Sequence, residues 1–140
     1  MPLQLESRTR FGLMTRMPTP EAVRRTATLL DEHGLDSVWV GDHLAFTGPI
    51  LDPFVQLAQV AALNTRVTVG TAVYLLPLRH PGPVAKQVAS LDHLTAGRFV
   101  FGVGVGGEFA SDFAVACVAV NERGPRLAES IQVLRKLWSG

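Results

Sequence analysis

The chain has 140 residues, 47% of them hydrophobic and 18% charged, with a formal net charge of +1. That is enough for one domain with a real core. It excludes a disordered chain and gives no electrostatic ground for nucleic acid or an anionic membrane surface as partner.

The single cysteine, Cys117, leaves no internal disulfide and no cysteine-built zinc site, and it fits a reducing compartment. No apolar run nears the roughly 20 residues that span a bilayer. The start, MPLQLESRTR, has no apolar signal core, so a cytoplasmic protein with one domain over residues 1–140 is expected.

In chain order, RFGLM at 10–14 reads as the first strand. Thr19-Pro20-Glu21 then supplies an N-cap, a proline at the first helical position and an acid in the first turn. Val23, Ala27 and Leu30 share one face of this helix, and Gly34 closes it. SVWV at 37–40 is the second strand, followed at once by Gly41-Asp42-His43. Asp52-Pro53 opens a second helix through Val55, Leu57, Ala58 and Ala62 to Asn64. RVTVGTAVYL from 66 is the third strand, and HPGP leads into a third helix that ends near Leu94, with Gly97 as its stop. RFVFGVGVG from 98 is the fourth strand. The fourth helix covers roughly Arg123 to Trp138, with Leu127, Ile131, Leu134 and Trp138 as its buried stripe.

With Phe11, Val38, Val67 and Arg98 as markers, successive strands are 27, 29 and 31 residues apart. A parallel return needs a long crossover, so this spacing predicts four βα units. The near-continuous apolar strands fit a sheet covered on both faces. Two α/β architectures satisfy the pattern: an open doubly wound sheet or part of a (β/α)₈ barrel. Both meet ligands beyond the carboxyl ends of their strands, where Asp42 and His43 fall.

GVGVGG at 102–107 formally matches G-x-G-x-x-G through Gly102, Gly104 and Gly107. A dinucleotide site needs a full helix straight after the glycines, then a strand ending in an acid. Only EFASDF separates Gly107 from the apolar run AVACVAV, so the geometry fails even though Glu122 could pose as the ribose-binding acid. Glycines at a strand end also let backbone approach a flat ring closely.

PLRHPGPVAKQVASLDHLTAGRFVFGVGVGG, residues 77–107, closely resembles the luciferase-like monooxygenase family of flavin- and deazaflavin-dependent oxidoreductases. The ordered set is Arg79-His80-Pro81, Ala85-Lys86, Leu91-Asp92, Leu94, Gly97-Arg98, then Gly102, Gly104 and Gly106. SVWVGDH is similar to the family's second strand, VTVGTAVYLLP to its third, and NERGPRLAESIQVLRKLWSG to its fourth helix. The resemblance implies a TIM-type (β/α)₈ barrel of which only the first four units are present. A lone half exposes the edges of strands one and four and much of the barrel interior. The expectation is thus a half-barrel, truncated after its fourth helix, that pairs with another half or forms a homodimer through those edges.

The same resemblance implies the site. Asp42 and His43 fall near the reactive face of the cofactor, with His43 shuttling a proton or stabilising developing charge. Asp42 would orient His43 or touch the polar edge of the ring. Thr71-Ala72-Val73 would form a bulge, often with a non-proline cis peptide bond, supporting one face of the ring. Gly106-Gly107-Glu108 matches a subgroup glutamate that here arrives one residue late, and the aromatic of many FMN members is missing. Together GDH and GTAV favour coenzyme F420, a deazaflavin, with FMN as the alternative. The implied activity is hydride transfer between that cofactor and a small organic substrate. Two other readings stay open: a flavin-dependent monooxygenase and a catalytically silent half-barrel.

The remaining candidates read as structural. His33 precedes a stop glycine, His80 is locked at a helix entrance and His93 sits late in a helix. Asp92 and Arg98 form an ion pair or cap. Phe46 and Leu75 serve either a substrate cavity or packing. Cys117 packs, and with Ala119 it replaces a glycine and a proline of the family segment. No metal is expected, since no ligand set stands at the right spacing.

Overall fold

The computed structural model describes residues 8–140. The first seven residues, on which much of the reading of a missing leader rests, lie outside the described residues. Four strands form one parallel sheet in the order β1 (Gly12–Met14), β2 (Ser37–Val40), β3 (Thr68–Thr71) and β4 (Phe99–Val100). A doubly wound sheet reverses its strand order at a switch point. Here each strand pairs with the next in sequence, which is the winding of a barrel.

The helices form where their caps predict. In α1 (Pro20–Glu32) the Thr19 hydroxyl accepts from the Ala22 N–H at 3.1 Å. In α2 (Pro53–Leu63) Asp52 accepts from the N–H groups of Phe54 and Val55 at 2.9 and 3.1 Å. In α3 (Pro81–Leu94) the imidazole of His80 accepts from Gly82 N–H at 3.2 Å, so His80 is a cap. Gly34 and Gly97 follow α1 and α3 with φ of +61° and +77°, a conformation that any side chain would strain. Among the described residues no helix is long and apolar enough to cross a membrane.

The main core lies between the sheet and these helices. Val38, Val40 and Val69 from the strands meet Val23, Leu30, Leu57, Val60 and Leu91, all buried. The opposite face of the sheet carries Met14, Trp39 and Val100 and is not covered by the described residues, with Met14 63% and Val100 43% exposed. There the indole of Trp39 covers Gly70, where a Cβ would overlap its ring, and reaches over Gly12. One covered face replaces the two expected.

Three boundaries differ from the sequence reading. The third and fourth strands are shorter than expected, because β3 stops at Thr71 and a turn leads into a 3₁₀ helix at Leu76–Leu78. Beyond Val100 the ladder resumes only as a bridge between Tyr74 and Val103. A short helix, α4 (Ala110–Val115), precedes α5 (Arg123–Trp138) and was not foreseen. Along α5 Leu134 is buried and Leu127 and Ile131 are half-buried, but Trp138 is 44% exposed. Its indole N–H still donates to the Ala85 carbonyl at 3.1 Å.

A second apolar cluster, Leu75, Leu78, Phe113 and Val118, sits beneath the carboxyl end of the sheet. Burying a phenylalanine such as Phe113 is worth about 1.5–3 kcal/mol. That anchor fixes α4 against the rim and sets the position of the residue before it, Asp112.

Candidate active site

The carboxyl ends of β2, β3 and β4 bring the three expected segments together. Val40 is paired with Thr71, and the Ala72 N–H donates to the Val40 carbonyl at 2.8 Å. Tyr74 N–H donates to Gly102 O at 2.8 Å, and Gly104 N–H to Tyr74 O at 2.9 Å. Gly41-Asp42-His43, the turn after Thr71 and the glycine run therefore share one rim. The peptide bond between Ala72 and Val73 is cis.

Asp42 and His43 are neighbours in sequence with separate duties. The Asp42 carboxylate is fully buried and forms an ion pair with Arg79, both guanidinium NH₂ groups donating to it. It also accepts from the Leu75 N–H at 2.8 Å. Arg79 in turn lies over the Tyr74 ring, 4.4 Å from its centroid. Burial pushes the Tyr74 phenol up to about 12, and Asp42 and Asp52 reinforce that against the opposing pull of Arg79. Asp42 thus latches the end of β2 to the segment after β3. It makes no hydrogen bond to His43, which corrects the expectation that it orients the imidazole.

The acid that does so is Asp112. Its Oδ2 lies 2.8 Å from His43 Nδ1, while its Oδ1 accepts from the N–H groups of Leu44 and Ala45 at 2.7 and 2.8 Å. Asp112 is buried. Burial pushes its carboxyl up, but the bonds from His43, Ala45 and Leu44 outweigh that and hold it below the usual carboxylate range. An ionised carboxylate is an acceptor only, so Nδ1 carries the shared proton, and in a neutral ring the lone pair would then be on Nε2. Among the described residues nothing hydrogen-bonds to Nε2.

Rings hold the imidazole in place. His43 stacks on Phe46 with centroids 4.6 Å apart and meets the edge of Phe109 at 5.0 Å. The Ser111 hydroxyl donates to the Ala45 carbonyl at 2.9 Å. The loop after β2 is thereby tied to α4 from both sides. Beside it a cleft of about 290 Å³ is lined by Met14, Arg16, Gly41, His43, Phe46 and Ile50.

The glycine run is used differently from the expectation. A Cβ at Gly102 would overlap the Thr71 carbonyl oxygen, and one at Gly104 would overlap the Val73 side chain. These glycines let β4 close on the bend after β3. The Thr71 hydroxyl donates to the Gly102 carbonyl at 2.8 Å, so it is spent within the fold. Gly106 faces Leu75 and Gly107 faces Arg123. Glu108 is exposed and makes no hydrogen bond among the described residues. Val73 stands at the rim 42% exposed.

Arg98 does not pair with Asp92; it donates to the carbonyl of Val67 at 2.6 Å and tethers the start of β3. Leu75 belongs to the buried cluster, whereas Phe46 lines the cleft. Cys117 is exposed with φ of +54° rather than packed. His33 and His93 are exposed on the helix ends. No group of three metal-ligating side chains occurs among the described residues.

Asp112, Arg79 and Phe109 were missed as site residues. Phe109, Asp112 and Phe113 are spaced i, i+3, i+4, which sets an acid on an apolar helical face. That is a signal for a buried, partnered carboxylate.

A parallel sheet wound in sequence order, with a histidine–aspartate pair at its carboxyl rim, defines a barrel-type α/β scaffold. The family model for luciferase-like monooxygenases matches residues 3–140, and the chain belongs to that family. It is 39% identical over 115 residues to 4-hydroxyprotoasukamycin monooxygenase of Streptomyces nodosus subsp. asukaensis, covering 81% of this chain and 31% of that protein. It is 37% identical over 120 residues to the F420-dependent glucose-6-phosphate dehydrogenase of Kineococcus radiotolerans, covering 81% of this chain and 35% of that one. The crystal structure of monooxygenase RslO1 from Streptomyces bottropensis superposes with a TM-score of 0.82 at 27% identity, over 94% of this chain and 44% of that one. The chain spans about a third of the length of these curated relatives.

Proposed function

We propose that this chain forms the amino-terminal part of the active site of an oxidoreductase that moves hydride between a deazaflavin or flavin and a small organic substrate. One observation carries the reading: a buried carboxylate holds His43 by Nδ1 at 2.8 Å and leaves Nε2 without a hydrogen bond among the described residues, at the rim where barrels do chemistry. Nε2 accepts the proton of a substrate hydroxyl, or returns it in the reverse direction. Asp112 stabilises the positive charge that the ring then holds.

The rim fits a flat ring in part. Leu44, Val73 and Val105 are exposed apolar side chains on the three segments that end at this rim, and a planar ring with a polar edge needs such a shelf. The Thr71 hydroxyl proton and both Asp42 oxygens are engaged within the fold, so His43, Ala72 and Val73 are the residues we assign to holding the ring. Gly106, Gly107 and Glu108 would border it. When bound, the ring supplies the hydride acceptor or donor. The kinship with a dehydrogenase named for its F420 dependence supports the deazaflavin; the monooxygenase relative supports the flavin alternative.

Titration of the chain with F420 and with FMN, followed by fluorescence, tests this. Saturable binding of the deazaflavin that weakens in His43→Asn and Val73→Asp is expected. Indifference to both cofactors contradicts it. A second reading rests on the uncovered sheet face and on a cleft of about 690 Å³ bordered by Phe99, Phe101, Leu137 and Trp138. These surfaces favour a half that is completed by association, and a concentration-dependent dimer mass in the same experiment would support it.

A further inference from the structure

Just beyond β1 stands an arginine that no acid among the described residues answers. Arg16 is exposed, and among the described residues its guanidinium has no carboxylate at ion-pair distance and makes no hydrogen bond. Its specific contact is with Phe46, whose ring centroid lies 5.6 Å from the guanidinium carbon. Arg79, also near this rim, is already neutralised by Asp42, and Arg123 donates to the Val120 carbonyl. Arg66 and Arg98 are likewise committed, to Asp31 and main-chain carbonyls and to the Val67 carbonyl respectively.

Phe46 links this free cation to the proton-handling group, since its ring also stacks on His43. The cleft of about 290 Å³ between them has apolar walls from Met14, Phe46 and Ile50. It therefore pairs one fixed positive charge with an apolar trough and an imidazole. A planar guanidinium matches a carboxylate with two parallel hydrogen bonds. Resting on an aromatic face, it is partly pre-oriented, which lowers the ordering cost of binding.

We infer that this cleft binds a small organic carboxylate, its acid group on Arg16 and its apolar body against Met14, Phe46 and Ile50. This names the substrate class of the proposed oxidoreductase and rests on that reading for its last step, in which the reacting hydroxyl or carbonyl of the bound acid lies toward His43. The carboxylate end is held away from the chemistry, and the neutral end meets the imidazole. A bare inorganic anion would satisfy Arg16 but leave the trough unused. A neutral aromatic would fill the trough but leave the guanidinium unpaired.

The test is a titration of the full 140-residue chain with benzoate, benzamide and inorganic phosphate, following the ring-proton NMR signals of His43 and Phe46. Benzoate is expected to shift both signals saturably, and benzamide and phosphate to bind at least about tenfold more weakly. Arg16→Gln should weaken benzoate by about tenfold or more while leaving benzamide unchanged, and Arg16→Lys should restore part of the loss. Arg16 is exposed, so an unchanged melting curve is expected for both variants.

No saturable benzoate shift overturns the inference. So does equal binding of benzoate and benzamide, or of benzoate and phosphate, or an Arg16→Gln chain that holds benzoate as well as the parent. Competition between benzoate and F420 or FMN, with cofactor binding lost in Arg16→Gln, would assign the arginine to the cofactor instead and also overturn it. Because the readout needs no turnover, a chain that binds benzoate through Arg16 but neither cofactor would uphold the cleft and refute the redox reading.

Discussion

The loop after β2 and the glycine run after β4 end at the same rim, and the sequence offers both as places where a ligand is met. They resolve in opposite ways. In the loop, Asp42 turns inward to Arg79 and Leu75 while His43 is held with Nε2 unspent. In the glycine run, the missing side chains are consumed by the protein itself, Gly102 against Thr71 and Gly104 against Val73. A polar residue declares a function only through the partners it lacks, and a glycine only through the neighbour that needs its space.

The largest expected effect lies in the inward half of the loop. Asp42→Asn leaves the half-buried Arg79 without its counter-charge; breaking a fully buried pair costs about 3–5 kcal/mol, and the partial exposure of Arg79 puts this loss toward the lower end. Urea denaturation should show that loss in the midpoint. A loss near zero would mean that Asp42 is a ligand-facing group after all and that the contrast with His43 is wrong.

The glycine run gives the smaller effect and can break the comparison from the other side. Gly102→Ala forces a methyl into the Thr71 carbonyl, and overpacking of this kind costs about 1–3 kcal/mol. The same denaturation series measures it. An alanine variant of unchanged stability that binds F420 or FMN more weakly would show that the glycine serves a ring and not β3.

The elements that were legible in the sequence are those fixed locally. Thr19, Asp52 and His80 cap their helices through side-chain bonds spanning two or three residues, and Gly34 and Gly97 adopt the left-handed conformation that ends a helix. The spacing of the strands likewise predicted the parallel winding. The site was legible only to the depth of single residues. His43 could be placed at a strand end, but its partner Asp112 lies 69 residues away on a six-residue helix, where the spacing of Phe109, Asp112 and Phe113 marks a buried acid without naming its partner. Asp42 was misassigned for the same reason: adjacency in sequence stood in for a contact, while its actual partner, Arg79, arrives from beyond β3. The boundaries of β3 and β4 failed because the Thr71 hydroxyl and the Tyr74 main chain replace the regular ladder. Such substitutions depend on the register between strands, which no single segment encodes.

The pairing of His43 with Asp112 is tested most directly by the tautomer of the imidazole, read from long-range proton–nitrogen NMR correlations at a pH where the ring is neutral. The account predicts the proton on Nδ1 in the parent chain. In Asp112→Asn, where the amide NH₂ faces Nδ1, it predicts transfer of the proton to Nε2. A parent chain with its proton on Nε2, or an asparagine variant with an unchanged tautomer, would contradict it.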